Sequence, residues 1–153
     1  MKSNLLKFDS IDSILPILAN RVFHVTPTTN IDAIRECGSL LPNTDQQWTS
    51  PYGNSKNGFF RLKNCVSFFD YRCYGTKEWS DNAFKCSPTQ ILDRFPSITF
   101  LFLNPNTYKM LISWEQWKIE QAWRQRVVPY VECGYPGPVP LSQITELLII
   151  EES

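Results

Sequence analysis

Val127-Val128-Pro129-Tyr130-Val131-Glu132-Cys133-Gly134-Tyr135-Pro136-Gly137-Pro138-Val139-Pro140-Leu141 sets a single acid, Glu132, between a β-forming run and a stiff turn. The run reads as a strand over residues 127–133 with Glu132 at its end, and the three prolines and two glycines that follow it preset the course of the chain. Catalytic acids are often carried in this way, on rigid backbone and aimed by a fixed loop. The only histidine lies near the other end, in Arg21-Val22-Phe23-His24-Val25-Thr26, again on an apolar strand-like run. In most proteins a lone histidine between apolar neighbours is structural, and a glutamate after an apolar strand is an edge residue facing water. What surrounds the two decides between these readings and a functional one.

Working outward, Asp9-Ser10-Ile11-Asp12 reads as a helix start, with Ile11, Ile14, Leu15 and Leu18 at helical spacing up to Asn20. Pro16 marks that helix as short or broken. Residues 21–26 read as a strand, and Thr28 and Thr29 cap a second helix that carries Ile31 and Ile34 and stops at Gly38. Residues 43–56 are rich in Asn, Thr, Ser, Gln, Pro and Gly and predict a long loop of the kind that is often functional. Residues 59–62 and 65–70 read as strand segments split by Lys63-Asn64, residues 71–88 as irregular, and residues 89–95 as a short helix. Residues 98–103 form the clearest buried strand. Residues 111–125 place Trp114, Trp117, Ala122 and Trp123 at the spacing of a partly buried helix, and residues 144–150 read as a closing strand. No repeat or internal boundary divides the chain, so the expectation is a single domain, 1–153, of the α+β class.

Bulk properties narrow the function classes. Hydrophobic content of 42% and charged content of 20% fit a globular chain rather than a disordered one. Net charge is zero, so no global field recruits nucleic acid or an anionic membrane surface. Locally, residues 56–94 carry seven Lys or Arg against four Asp or Glu, an excess that suits a phosphate-bearing ligand or a solvated face of mixed charge. The five cysteines are odd in number, contain no C-x-x-C and lie far from the histidine, which argues against a metal site and for reduced thiols. The absence of a secretion-type core and of a membrane-length apolar run leads to the expectation of a cytoplasmic protein without a membrane partner.

The string Val22-Phe23-His24-Val25-Thr26, then Asn30-Ile31, Ile34 and Gly38-Ser39-Leu40-Leu41-Pro42, resembles the opening of ADP-ribosyltransferase-fold proteins. In these a strand ends in His-x-Thr and is followed by a helix and a Gly-Leu turn. Val131-Glu132, with Pro138-Val139-Pro140 and Ile144, is similar to the catalytic-glutamate strand of the DarT-like branch. The two matches cover about the first third and the last fifth of the chain. Val66-Ser67-Phe68 is faintly like the serine strand of the Arg-Ser-Glu toxins but lacks their Ser-x-Ser form, and the opening histidine stands where several branches have arginine.

The resemblance implies two packed, strongly bent antiparallel sheets with a few flanking helices and a cleft for NAD, which serves as substrate. It implies a glycosyltransferase that moves ADP-ribose to a macromolecular acceptor, nucleic acid or protein, as a toxin or phage-defence effector with a cognate antitoxin as partner. Breaking the nicotinamide–ribose bond passes through an oxocarbenium-like state that one carboxylate near the ribose hydroxyls stabilises, and Glu132 takes that catalytic role. A neutral His24 beside Thr26 binds a ribose hydroxyl without adding charge near the cation. Arg61 and Arg72 are candidates for the pyrophosphate, Tyr71 with Tyr74 and Phe69 for stacking on nicotinamide, and Ser67 for the cofactor-facing strand. Two other readings compete. One is a non-catalytic nucleotide- or protein-binding module on the same fold; the other is nucleic-acid binding through residues 56–94.

Overall fold

A computed structural model describes residues 1–43, 51–52 and 57–153. Most of the loop predicted over residues 43–56 lies outside the described residues. The order of elements is β1 (Lys2–Phe8), α1 (Ile11–Leu18), β2 (Val22–Pro27), α2 (Ile31–Cys37), β3 (Ser39–Leu40), α3 (Phe59–Leu62), β4 (Cys65–Asp70), α4 (Lys77–Ala83), β5 (Ser97–Leu103), β6 (Ile112–Ser113), α5 (Trp114–Ile119), β7 (Glu132–Pro136), β8 (Val139–Pro140) and β9 (Ile144–Glu152), with short 3₁₀ turns between several of them. Seven strands form one sheet in the order β1-β9-β5-β2-β4-β7-β6, and β3 and β8 make a second, two-stranded sheet. The class is α+β, as expected. The large sheet is mixed, however, because β1 runs parallel to β9 while every other neighbouring pair is antiparallel.

Alternation along the strands builds two cores, one on each face. Phe23 and Val25 of β2, Phe69 of β4, Phe100 and Phe102 of β5, and Leu148 and Ile150 of β9 pack with Ile14 and Leu18 of α1 and Trp79 of α4. On the other face Val22, Val66, Phe68, Leu101, Leu103, Cys133 and Leu147 pack with Ile31 of α2, Leu40 of β3 and Val139 of β8. Each fully buried Phe or Leu contributes about 1.5–3 kcal/mol from desolvation, so both faces are strongly held.

The helix ends follow local chemistry. Ile14 and Leu18, one turn apart, are the buried face of α1, and Pro16 sits inside it as a residue without a hydrogen to donate. Gly38 closes α2 at φ 83°, donating its N–H to the Ile34 carbonyl. Thr76 caps α4 inside the stretch read as irregular, its hydroxyl accepting from the Trp79 amide.

Further readings change. Residues 59–62 are one helical turn and not a strand, closed by Leu62 N–H on the Gly58 carbonyl, and that turn lets the adjacent Phe59 and Phe60 both point inward. A short apolar run alone does not separate the two structures. The helix predicted over residues 111–125 is shortened to α5 by the Ser113 cap at one end and left-handed Gln121 at the other. Residues 127–131 are a turn rather than a strand, with Val131 and Glu132 both donating to the Val128 carbonyl and Tyr130 at φ 65°. Pro129 lacks the N–H that a ladder requires, so Glu132 opens β7 instead of ending a strand.

β7 is fixed in depth by a close approach. A Cβ on Gly134 would lie 2.6 Å from Phe60 Cδ1 and 2.9 Å from Cys65 Cβ. Gly134→Ala is therefore expected to destabilise the fold by about 1–3 kcal/mol, read as a fall in melting temperature. An unchanged melting temperature would show that Phe60 yields freely.

Candidate functional site

β2 and β4 are neighbours, yet they pair only through Val22↔Asp70 and Phe23↔Phe69. Both strands continue: β2 stays paired with β5 as far as Pro27, and β4 stays paired with β7 back to Cys65. Beyond Phe23 and Phe69 the sheet thus opens between them. His24 is the next residue of β2, at the apex of that opening. Its Nδ1 lies 2.9 Å from the Ser67 carbonyl oxygen, and its ring meets Phe68 edge-on at 5.8 Å. The ring is half-buried, and burial lowers its pKa while the carbonyl partner pulls the other way.

Glu132 stands on β7, one strand beyond β4, directly opposite Phe69. Ser67 is opposite Gly134, so Ser67 and Glu132 are diagonal neighbours on one face, about 7–8 Å apart by the usual geometry. His24 shares the other face with Phe68 and Leu101. The three residues therefore lie on the adjacent strands β2, β4 and β7, but His24 and Glu132 leave the sheet on opposite sides.

Burial pushes the Glu132 carboxyl up to about 7, against the Val128 amide and Arg126, which both pull it down. Arg126 is held by its backbone, accepting from the Phe59 amide and donating to the Asn57 carbonyl. The half-buried Cys86 thiol is raised to about 12, mainly by burial and further by Glu132. Tyr52 packs edge-on against Phe69 and donates its hydroxyl proton to the Pro88 carbonyl.

The other predicted residues have different surroundings. Thr26 is buried, and its hydroxyl accepts from Asn30 Nδ2 at 3.0 Å. Arg72 is committed to Asp70, with Nε at 2.9 Å and Nη2 at 2.8 Å from the two carboxylate oxygens, and its guanidinium lies over the Tyr108 ring. Tyr71 is 3% exposed, its ring enclosed by Phe23, Tyr74 and Trp79, so it belongs to the core and offers no open stacking face. Arg61 is buried within α3. Ser67 is exposed.

Sequence reasoning missed Arg126 and Cys86, whose relation to Glu132 depends on tertiary packing and leaves no local signal, and Tyr52, which packs on Phe69. It also missed a surface groove of about 550 Å³ lined by Trp114, Glu115, Lys118, Ile119 and Tyr130. Trp114 follows Ser113, the partner of Cys133, so this groove opens beside the start of β7. Trp114 and Tyr130 are in ring contact at 4.5 Å. Among the described residues no cluster of His, Cys, Asp or Glu is arranged to hold a metal ion, and no helix is long and apolar enough to cross a membrane. Set against models of known families, curated proteins and solved structures, the chain matches none.

The Glu132 environment sets a pH dependence of stability. Between the ordinary carboxylate value of 4.5 and about 7 the folded chain holds a proton that the unfolded chain has released. Its stabilising share is complete below that window and is lost as pH rises through it, by no more than about 3.5 kcal/mol at about 1.4 kcal/mol per pH unit. Glu132→Gln is expected to melt several degrees higher than the parent at pH 8 and close to it at pH 5. Equal melting temperatures at both pH values would mean that Glu132 ionises without penalty.

Proposed function

We propose that the opening between β2 and β4 binds NAD and that the chain is an ADP-ribosyltransferase acting on a macromolecular acceptor, nucleic acid or protein. The observation that carries this reading is the placement of His24, Ser67 and Glu132 on three adjacent strands beside the point where the β2–β4 ladder stops. In this reading the nicotinamide–ribose bond breaks with its electron pair going to the pyridinium ring, which leaves as neutral nicotinamide. The oxocarbenium ion that remains is stabilised by the Glu132 carboxylate, and an acceptor oxygen or nitrogen attacks the anomeric carbon and loses its proton. His24, kept neutral by its surroundings, binds a ribose hydroxyl without opposing the cation. The pyrophosphate then needs a cation other than Arg72 as it stands, because Arg72 is held by Asp70.

One observation favours a second reading, a non-catalytic nucleotide- or protein-binding module. Burial raises Glu132 to about 7, so near neutrality much of it is an uncharged acid, which cannot stabilise a cation. The two readings separate on nicotinamide release from NAD by the purified chain, alone and with lysate or mixed nucleic acids as acceptor. The transferase is expected to release nicotinamide, and Glu132→Gln to lower the rate at least about 100-fold while the fold is kept. No release from the parent under any condition, with NAD failing to raise its melting temperature, removes the proposal.

The active form of Glu132 is the ionised one, so kcat/KM is expected to rise with pH and level off above a midpoint near 7. A rate independent of pH between 5.5 and 8.5 would assign the limiting chemistry to another group.

A further inference from the structure

We infer that β1 is a pairing edge for a second copy of this chain. Two β1 strands join antiparallel about a twofold axis, with Leu5 opposite the partner's Leu5, and run the two large sheets into one. β9 and β5 stand between β1 and β2, so pairing at β1 leaves the opening free, and either reading can fail without the other.

The large sheet ends differently at its two sides. β6 has two residues and passes at once into α5, which leaves little ladder to extend. β1 has seven, in unbroken register with β9 and without proline or bulge. Backbone groups along a strand face alternate sides, so half of those on β1 point away from β9, where no described residue pairs with them. Folded chains blunt such edges with prolines, bulges or charge. Here the two charges are Lys2, at one end, and Lys7, which is tied to Glu151 at 2.8 Å. Leu5 is 57% exposed and Leu6 38%, one on each face of the sheet.

Symmetry and charge fix the register. A twofold axis normal to the sheet makes the joined strands antiparallel and keeps each face continuous. Side chains directly opposite then share a face, so the axis passes through a residue and not between two. Centred on Leu5, residues 2–8 all pair, and centring on Asn4 or Leu6 leaves one end of each strand overhanging. In the Leu5 register Lys2 meets the partner's Phe8 and Lys7 meets the partner's Ser3, so no like charges are opposed. Leu5 lies across from half-exposed Ile149 on β9, so the axis joins Ile149 and Leu5 to the partner's Leu5 and the partner's Ile149 in one apolar row over four strands. Seven residues a side is well short of the roughly 20–30 of a standard interface, which sets the association in the weak, reversible class.

Sedimentation of the whole chain over a concentration series tests the pairing. The mean mass is expected to climb from 17.8 kDa towards twice that value, with a midpoint between about 10 and 100 µM. A mass of 17.8 kDa at every concentration up to about 1 mM overturns the inference and leaves the edge to a strand of another protein. Leu5→Lys sets like charges face to face across the axis at a position that is exposed in the single chain. It is expected to melt near the parent and to weaken pairing at least about tenfold, and parental association in folded Leu5→Lys counts against the inference. Register is read by thiol crosslinking on mild oxidation, with the parent and its five cysteines as background. Leu5→Cys places two thiols directly opposite and is expected to give a disulfide-linked dimer well above that background. Ser3→Cys, opposite the partner's Lys7, is expected not to. Equal crosslinking by both variants, or by neither, overturns the Leu5-centred pairing.

Discussion

Two residue pairs hold β2 to β4, and the organisation of the site depends on where that short ladder ends. Its closed end is reinforced from several directions. Asn20 donates to the Tyr71 carbonyl and Tyr71 to the Arg21 carbonyl, and the Val22 amide donates to the Tyr108 hydroxyl. Phe23 and Phe69 stack at 5.6 Å, and Asp70 binds both the backbone and the guanidinium of Arg72. Against this clasp each half of the sheet has a stronger attachment elsewhere, β2 to β5 and β4 to β7, so opening the gap costs little pairing. His24 occupies the first position where a backbone bond is missing.

The two carboxylates near this region illustrate opposite solutions to burial. Asp70 is surrounded by donors, including the fork of Arg72, whose own pKa is raised in return. Glu132 has lost water without comparable compensation and rises to about 7. Paired, buried charge locks structure; underpaired charge stays poised between its two forms. This contrast separates Asp70, whose charge is tied into the fold, from Glu132, whose protonation changes near neutral pH.

Much of the fold was legible because hydrophobic alternation and helix stops are local signals. β2, α2, β4, β5 and β9 stand close to where periodicity and Gly38 put them. The misreadings at residues 59–62 and 127–131 have different causes: the apolar run at 59–62 fits a strand or a helical turn until its tertiary neighbours Gly134 and Cys65 are known, whereas at 127–131 the local signal of Pro129 was outweighed by the β-forming residues around it. The N-terminal strand β1 escaped notice because six of its seven residues are exposed, so it has no buried face to mark it. The adjacency of His24, Ser67 and Glu132 followed only from sheet order. That Arg72 and Tyr71 serve the scaffold was hidden by their sequence position beside the candidate strand.

β1 also bears on how the molecule is assembled over time. It adds little apolar burial and is held by parallel pairing to β9 with the Lys7–Glu151 ion pair, partners 144 residues apart. Strand β5, whose long ladder to β9 is central to both cores, waits on the same segment. Closing loops of that span precedes any reward from the contacts made, so the sheet is completed late and slowly compared with a chain of local pairings. Until residues 144–152 arrive, β5 presents a bare apolar edge. During synthesis that edge is unpaired from the emergence of residues 97–103 until residues 144–152 follow, a window in which it can pair with another chain instead.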